Sequence, residues 1–383
     1  MTTGFLLLED GTLFRGESVG APGFAFGEAV FTTAMTGYLE VVTDPSYAEQ
    51  LVAFTAPMVG NYGVDRRHAE SARPHARGVV MREARGPAWT DWLLERGLPA
   101  LSGIDTRSLV IRLREAGAMR AAVVGGDASV EETLRAILEQ PPMAGRALAA
   151  QVSTPGPYPY TDRGRVRIAV VDYGCKRSIL RRLAKAGAAV TVFPHDADPD
   201  ELDGFDGVVL SNGPGDPGPL AAEVETVRML LGRAPILGIC LGHQLLARAA
   251  GLETFKLPFG HRGANHPVVE RATGRVLVTC QNHGFAVAPS ETRAVIAHGS
   301  EYDADHDARV EERYEGAVGV STINPAAPTC CTRREPRAFR KAPSTSTTTW
   351  CSARKPTRSR SSRCARPTRC IPRRSSSSRT GSA

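Results

Sequence analysis

The chain has 383 residues, of which 42% are hydrophobic, so it is long enough for two domains and apolar enough to bury a sizeable core. No apolar run approaches the roughly 18 residues of a membrane span, and the short run at 5–8 is followed at once by Glu9 and Asp10. Residues 1–320 hold three scattered cysteines, too few for a disulfide framework. These features exclude membrane and disulfide-scaffold classes, and we expect a reducing, cytoplasmic setting.

The charge is distributed unevenly along the chain. Residues 321–383 contain 15 of the 47 basic residues and one of the 40 acidic residues, a net charge of +14. Residues 1–320 carry a net charge of −7, so the overall value of +7 describes neither part. Because the body is mildly acidic, the overall charge is no reason to expect a nucleic-acid partner.

The first 140 residues predict a mixed β/α domain. FLLLEDGTLF indicates a hairpin that turns at Asp10-Gly11, a pair that tolerates positive φ. IDTRSLVIRLREAGA predicts a helix capped by Asp105 and ended by Gly117. SVEETLRAILEQPP predicts a second helix, in which Ser129 and Glu132 have capping-box spacing. One face of this helix would carry Leu134, Ile137 and Leu138.

The pattern changes after a Pro- and Gly-rich stretch, 141–165, which is typical of a linker. From residue 166 strands alternate with helices, which predicts a mostly parallel sheet with ligands bound at the carboxyl ends of its strands. SNGPGDP at 211–217 and GICLGHQ at 238–244 each follow a predicted strand. We therefore expect the two motifs to meet at one sheet edge.

Cys240 lies in a G-x-C-x-G pattern that resembles a nucleophile elbow with sulfur in place of oxygen. The N–H groups at the start of the following helix should lower the pKa of the thiol and stabilise an oxyanion. Gln244, four residues on, shares a helix face with it and could contact a polar substrate. The alternative is a buried structural cysteine, but the elbow pattern favours a nucleophile.

Two other segments carry polar residues suited to a site. SNGPGDP lacks the Lys-Ser/Thr of a phosphate-binding loop, so it is either a plain turn or a pocket wall that lies against a ligand. QNHGFAV at 281–287 follows a predicted strand, and its His283 could be structural. His261 and His266 are expected in a loop beside the site; without a carboxylate or thiol at ligand spacing, they do not predict a metal centre.

SNGPGDP, GICLGHQ and QNHGFAV resemble the class I (triad-type) glutamine amidotransferase domain over about 166–300. FTTAMTGYLEVVTDPSYAEQ and GIDTRSLVIRLREAGAMRA resemble the N-terminal domain of the small chain of glutamine-hydrolysing carbamoyl-phosphate synthase. The pairing is specific, because other amidotransferases carry unrelated partner domains. The resemblance covers about 1–320. It implies an α/β chain with an N-terminal domain (1–140) and a mostly parallel-sheet amidotransferase domain (166–320). Composition adds the linker (141–165) between them and an irregular basic tail (321–383) that departs from the family.

The resemblance implies that Cys240 forms a γ-glutamyl thioester and that the ammonia released passes through a tunnel to a large synthetase chain. That partner would make carbamoyl phosphate, for arginine and pyrimidine synthesis, with ATP and Mg²⁺ bound in the large chain; no cofactor or metal is implied in this one. The residues implied to hold glutamine are Ser46, Gly213, Gly215, Leu241, Gln244, Asn282, Gly284 and Phe285.

The sequence departs from the family where a His-Pro-Glu motif should complete the triad. All nine histidines lie at or before His306. The basic tail could bind nucleic acid, could bind metal through its cysteines, or could be out-of-frame sequence from a GC-rich gene, which we favour because the change is abrupt. Losing a general base costs about 10²–10⁴ in rate, so the alternative function is an impaired glutamine-binding scaffold or regulatory subunit. Of the remaining histidines, His283 is a better placed substitute than His243.

Overall fold

A computed structural model describes residues 2–270 and 275–288 and the backbone of two short strands at 296–297 and 318–319. The predicted basic tail, with the interpretations attached to it, lies outside these residues. Between residues 289 and 317, only the two-residue strand Ile296–Ala297 is described. Within the described part of the chain no helix is both long and apolar enough to cross a membrane.

The N-terminal part is a closed barrel of seven strands in the order β1-β2-β6-β5-β4-β3-β7. The run FLLL occupies β1 and is buried on both faces: Leu6 and Leu8 join one apolar cluster, and Phe5 and Leu7 join another. This split follows from the two-residue period of a strand. The strands are β1 (Thr2–Leu8), β2 (Leu13–Ser18), β3 (Gly23–Thr32), β4 (Gln50–Phe54), β5 (Gly78–Val80), β6 (Ala100–Ser102) and β7 (Met119–Gly125).

The N-terminal part also contains four α-helices and two single-turn 3-10 helices. They are α1 (Tyr38–Thr43), the 3-10 turn Pro45–Tyr47, the 3-10 turn Arg66–His68, α2 (Pro87–Glu95), α3 (Thr106–Ala116) and α4 (Val130–Glu139). The predicted hairpin and both predicted caps are confirmed: Gly11 has φ +84°, Asp105 Oδ1 accepts from Ser108 N at 3.0 Å, and Ser129 Oγ accepts from Glu132 N at 3.3 Å. The predicted apolar face was partly wrong, because Leu138 is 51% exposed.

The second sheet has five strands in the order β12-β11-β9-β10-β8. Its strands are β8 (Tyr158–Thr161), β9 (Val166–Asp172), β10 (Ala188–Pro194), β11 (Gly207–Leu210) and β12 (Ile236–Gly238). Four of them are parallel, which confirms the predicted sheet type, and β8 is antiparallel at the edge. The stretch predicted as a linker therefore contributes a strand, whose Pro and Gly neighbours masked the strand signal.

Helices cover both faces of this sheet, which explains why its strands are near-continuous apolar runs. Alternate residues of β9 enter opposite clusters: Ala169 and Val171 pack with α7 and α8, and Ile168 and Val170 pack with α6. The helices of this part are α5 (Ala149–Val152), α6 (Arg177–Lys185), α7 (Ala221–Leu230) and α8 (Leu241–Ala249), with a 3-10 turn at Pro199–Leu202.

A long antiparallel ribbon joins the two parts. It consists of β13 (Thr254–Glu270) and β14 (Arg275–Val287), with register shifts on either side of the segment 261–263. FGHRGANHP, predicted as a loop, lies within β13, and QNHGFAV lies within β14 rather than after it. Because the strand pairing is irregular here, the sequence lacks the regular alternation of apolar and polar residues that would have identified these strands. The ribbon pairs with the barrel through Thr33 N to Arg262 O (3.0 Å) and Ala118 N to Pro258 O (2.7 Å).

Candidate active site

The two glycine-rich motifs meet at the carboxyl edge of the parallel sheet. β11 ends at Leu210 and β12 ends at Gly238, and these two residues are paired in register. The segment after β11 then contacts the elbow directly, since Gly242 N donates to Ser211 O at 3.0 Å. The predicted meeting of SNGPGDP and GICLGHQ at one edge is therefore confirmed.

Cys240 occupies a sharp turn between β12 and α8. Its backbone has φ 53° and ψ −108°, a conformation that non-glycine residues rarely adopt and that is typical of strained functional turns. A Cβ at position 238 would lie 2.7 Å from the Cα of His243, and one at position 242 would lie 2.2 Å from Leu210 O. Both flanking glycines are thus required by close backbone packing, as the elbow pattern predicts.

The thiol of Cys240 donates a hydrogen bond to the backbone oxygen of Asn282 at 3.3 Å. Its pKa is raised to about 11, chiefly because the sulfur is removed from water and then because Asp44 is negatively charged. Lys176, the Leu241 N–H and Arg262 act in the opposite direction. The predicted lowering of the pKa was therefore wrong: the N–H at the start of α8 acts as expected, but desolvation outweighs it.

A buried polar cluster surrounds the thiol and includes two of the predicted glutamine-binding residues. Asn282 Nδ2 donates to Asp44 Oδ2 at 3.1 Å, and Ser46 N donates to Asp44 Oδ1 at 2.9 Å. Asn212 Nδ2 donates to Ser46 Oγ at 2.9 Å, and Lys176 forms an ion pair with Asp44 at 2.9 Å. Sequence reasoning missed Asp44, Asn212 and Lys176 as site residues, although Asp44 and Asn212 lie within motifs that it identified.

Gln244 and Phe285 are also brought together. Gln244 Nε2 donates to Phe285 O at 2.7 Å, so the glutamine side chain anchors α8 to the ribbon. The Phe285 ring is buried beside Met143 and Leu148. Gln244 lies one turn of α8 beyond Cys240, and its hydrogen bond places Phe285 of the ribbon beside that turn.

The remaining predicted residues pack against protein backbone and side chains. A Cβ at Gly213 would lie 2.2 Å from Tyr173 O and 2.8 Å from a methyl group of Leu241, which is itself buried. A Cβ at Gly215, which has φ +87°, would lie 2.5 Å from Arg146 O, and one at Gly284 would lie 3.1 Å from the Arg262 guanidinium. Close packing within the chain therefore restricts all three positions to glycine, and their contact with glutamine stays a prediction.

His283 is a structural histidine, one of the two interpretations that the sequence left open. It is 5% exposed, its Nδ1 lies 2.9 Å from Phe285 O, and its Nε2 lies 3.1 Å from Gln281 Oε1. Burial lowers its pKa to about 3. Because both ring nitrogens are engaged away from Cys240, His283 does not serve as the base for the thiol. Among the described residues no three His, Cys, Asp or Glu side chains group as a metal site.

Two cavities flank this region. One, of about 820 Å³, is lined by barrel and linker residues such as Arg73, Arg96 and Glu28 and includes none of the predicted site residues. The other, of about 30 Å³, lies against Asp44, Lys176 and Gln281. Cys240 lines neither of these cavities, but the Asp44–Lys176 pair of the polar cluster lines the smaller one.

The matches to known proteins agree with this geometry. Residues 6–123 match the family described as carbamoyl-phosphate synthase small chain, CPSase domain, and residues 169–320 match glutamine amidotransferase class-I. The chain is 45% identical to the carbamoyl phosphate synthase small chain of Bacillus caldolyticus, covering 76% of this chain and 83% of that relative. The chain belongs to the carbamoyl-phosphate synthase small chain family.

Two further family members show the same extent of similarity. The carbamoyl phosphate synthase small chain of Listeria monocytogenes is 44% identical, with 82% of this chain and 88% of that relative covered. The small chain of Methanopyrus kandleri is 46% identical, with 75% and 83% covered. Both family matches fall within the 1–320 stretch that carries the resemblance, as expected of a carbamoyl-phosphate synthase small chain.

Proposed function

We propose that this chain is the glutaminase subunit of carbamoyl-phosphate synthase, which hydrolyses glutamine and supplies ammonia to a large synthetase chain. The observation that carries the proposal is the strained elbow at Cys240, whose thiol lies against Asn282 of the ribbon. Asp44 links Asn282 to Ser46. Three residues implied by the resemblance, Cys240, Asn282 and Ser46, are therefore joined in one hydrogen-bonded cluster. Family membership adds the substrate and the partner.

In the proposed reaction, the Cys240 thiolate attacks the side-chain carboxamide carbon of glutamine. The carbonyl oxygen becomes an oxyanion, which the N–H groups at the start of α8 are placed to stabilise. The C–N bond of the intermediate then breaks, the nitrogen takes from solvent water a proton equivalent to the one that the thiol released, and ammonia leaves a γ-glutamyl thioester behind. Water attacks the thioester, which releases glutamate and restores the thiol.

Proton transfer limits the rate of this reaction. The hydrogen-bond acceptor of the thiol is the Asn282 carbonyl oxygen, which does not take a proton as a general base would. With a thiol pKa of about 11, roughly one thiol in a thousand is ionised at pH 8. We therefore expect the chain to bind glutamine and acylate slowly. Family membership favours this glutaminase assignment over a non-catalytic scaffold, which rests on the missing His-Pro-Glu motif alone.

The remaining parts of the proposal concern the setting. ATP and Mg²⁺ would be used by the large chain, and this chain would need no cofactor. Cytoplasmic location and a role in arginine and pyrimidine synthesis follow from the same assignment.

The test is to trap the thioester. The tryptic peptide 234–248 contains Cys240 as its sole cysteine, so mass spectrometry can assign a γ-glutamyl adduct to it. Incubation with glutamine should add a glutamyl group to this peptide, and Cys240→Ser should remove that mass. A folded chain that neither glutamine nor a diazoketone glutamine mimic modifies at Cys240, with the large chain present, would refute the proposal.

A further inference from the structure

Asp44 stands out because its carboxylate is buried where the barrel meets the sheet and the ribbon. Asp44 is 2% exposed, and Lys176, its ion-pair partner, is 4% exposed. Asp44 follows α1 in the barrel, and Lys176 precedes α6 beside the parallel sheet. Both charges have therefore been removed from water, and desolvation is unfavourable in free energy for each of them.

Its two oxygens are occupied by donors from four separate segments. Oδ1 accepts from Ser46 N at 2.9 Å and from Asn212 Nδ2 at 3.4 Å. Oδ2 accepts from Asn282 Nδ2 at 3.1 Å and pairs with Lys176 Nζ at 2.9 Å. A carboxylate with this many donors is held in one orientation, and it holds its donors in turn.

Stability is a weak reason for such an arrangement, because well-packed apolar residues often replace a buried ion pair at no cost. The donors suggest another reason. Ser46 and Asn282 are residues expected to hold glutamine, and the backbone oxygen of Asn282 accepts the hydrogen bond of the thiol. Asp44 therefore contacts the substrate-binding residues without contacting the reacting sulfur in a hydrogen bond.

We propose that Asp44 is a positioning residue of the glutamine site, which orients Ser46 and Asn282 from the barrel and so makes substrate binding depend on the docked barrel. The inference rests on the proposed glutaminase function. Asp44 does not activate the thiol, because its negative charge disfavours the thiolate. Removing that charge should thus weaken the fit of glutamine while leaving the thiol at least as reactive toward a small uncharged reagent. A purely structural role would impair both reactions.

The experiment compares two labels on Cys240 in the full chain, a diazoketone glutamine mimic and iodoacetamide, both quantified on peptide 234–248. In Asp44→Asn, the mimic concentration that gives half-maximal labelling should rise about tenfold or more, the loss expected from about 1.4 kcal/mol. Iodoacetamide labelling at pH 8 should be equal or faster. Asp65→Asn is the matched control: Asp65 caps the 3-10 turn Arg66–His68 in the same way, through Arg67 N at 3.0 Å, but lies on the surface.

The outcomes separate the hypotheses. Equal labelling of wild type and Asp44→Asn by the mimic, or a parallel loss of both labels in folded protein, overturns the inference alone. A wild-type chain that the mimic does not label overturns the proposed function as well. If Asp44→Asn does not fold, the double variant Asp44→Asn/Lys176→Met removes both charges of the pair. It is compared with Lys176→Met by the same two labels, because Lys176 itself lowers the pKa of the thiol.

Discussion

The thiol of Cys240 and the backbone oxygen of Asn282 are joined by a 3.3 Å hydrogen bond that links the elbow to the ribbon. This contact places Cys240 of GICLGHQ against Asn282 of QNHGFAV, 42 residues away. The sulfur beside this oxygen is protonated at neutral pH, because burial and then the negative charge of Asp44 raise its pKa to about 11. Several measurable properties of the chain follow from this arrangement.

The first is the pH dependence of Cys240 alkylation. Only the thiolate reacts, and the thiol pKa is raised to about 11. The rate with iodoacetamide should therefore increase about tenfold per pH unit between pH 7 and 10, without a plateau in that range. Time-resolved mass spectrometry of peptide 234–248 measures it, with free cysteine as the reference. A plateau near pH 8 would show that an unrecognised base or cation ionises the sulfur.

The second concerns the elbow glycines. Gly242→Ala should destabilise the chain by about 1–3 kcal/mol, as overpacking typically does, because the new Cβ would lie 2.2 Å from Leu210 O, a backbone atom. Urea unfolding measures the change. Gly156→Ala is the control, since a Cβ there meets nothing within 4 Å. Equal unfolding midpoints for the two variants would contradict the packing argument.

The third concerns His283 and stability in acid. Its folded pKa is depressed to about 3 by burial, so the unfolded chain binds a proton first as the pH falls. Its contribution to stability is present above the ordinary histidine pKa of about 6.5 and is lost progressively as the pH falls toward 3. Compared with wild type, His283→Gln should lose less stability between pH 7 and 5. Urea midpoints at the two pH values test this, with the exposed His68→Gln as control; equal losses in wild type and His283→Gln would contradict it.

The fourth concerns the basic segment 321–383. We propose that it is read out of frame, because the amidotransferase match ends at residue 320 and the expected His-Pro-Glu motif is missing beyond it. Resequencing the gene around codon 320 should reveal an alternative frame that encodes this motif. Restoring that frame should raise glutaminase activity about 10²–10⁴-fold, the usual contribution of a general base. An alternative frame without a His-Pro-Glu motif would end this hypothesis.

The sequence was sufficient wherever the deciding interaction is local. The turn at Gly11, the caps at Asp105 and Ser129, and the elbow at Cys240 each depend on residues within about four positions, so composition and spacing identify them. The alternation of strands and helices from residue 166 likewise predicted the parallel sheet. These features, together with the family motifs, identified Cys240 as the proposed nucleophile from the sequence alone.

Only the tertiary structure could decide what surrounds the sulfur. The Asp44–Lys176 pair joins residues far apart in the chain, and no local pattern distinguishes it from an exposed pair. The direction of the Cys240 pKa shift was misjudged for the same reason, because the helix end is visible in the sequence whereas the loss of water around the thiol is not. Desolvation and long-range pairing depend on how the barrel, sheet and ribbon pack together, and this packing determines the electrostatics of the site.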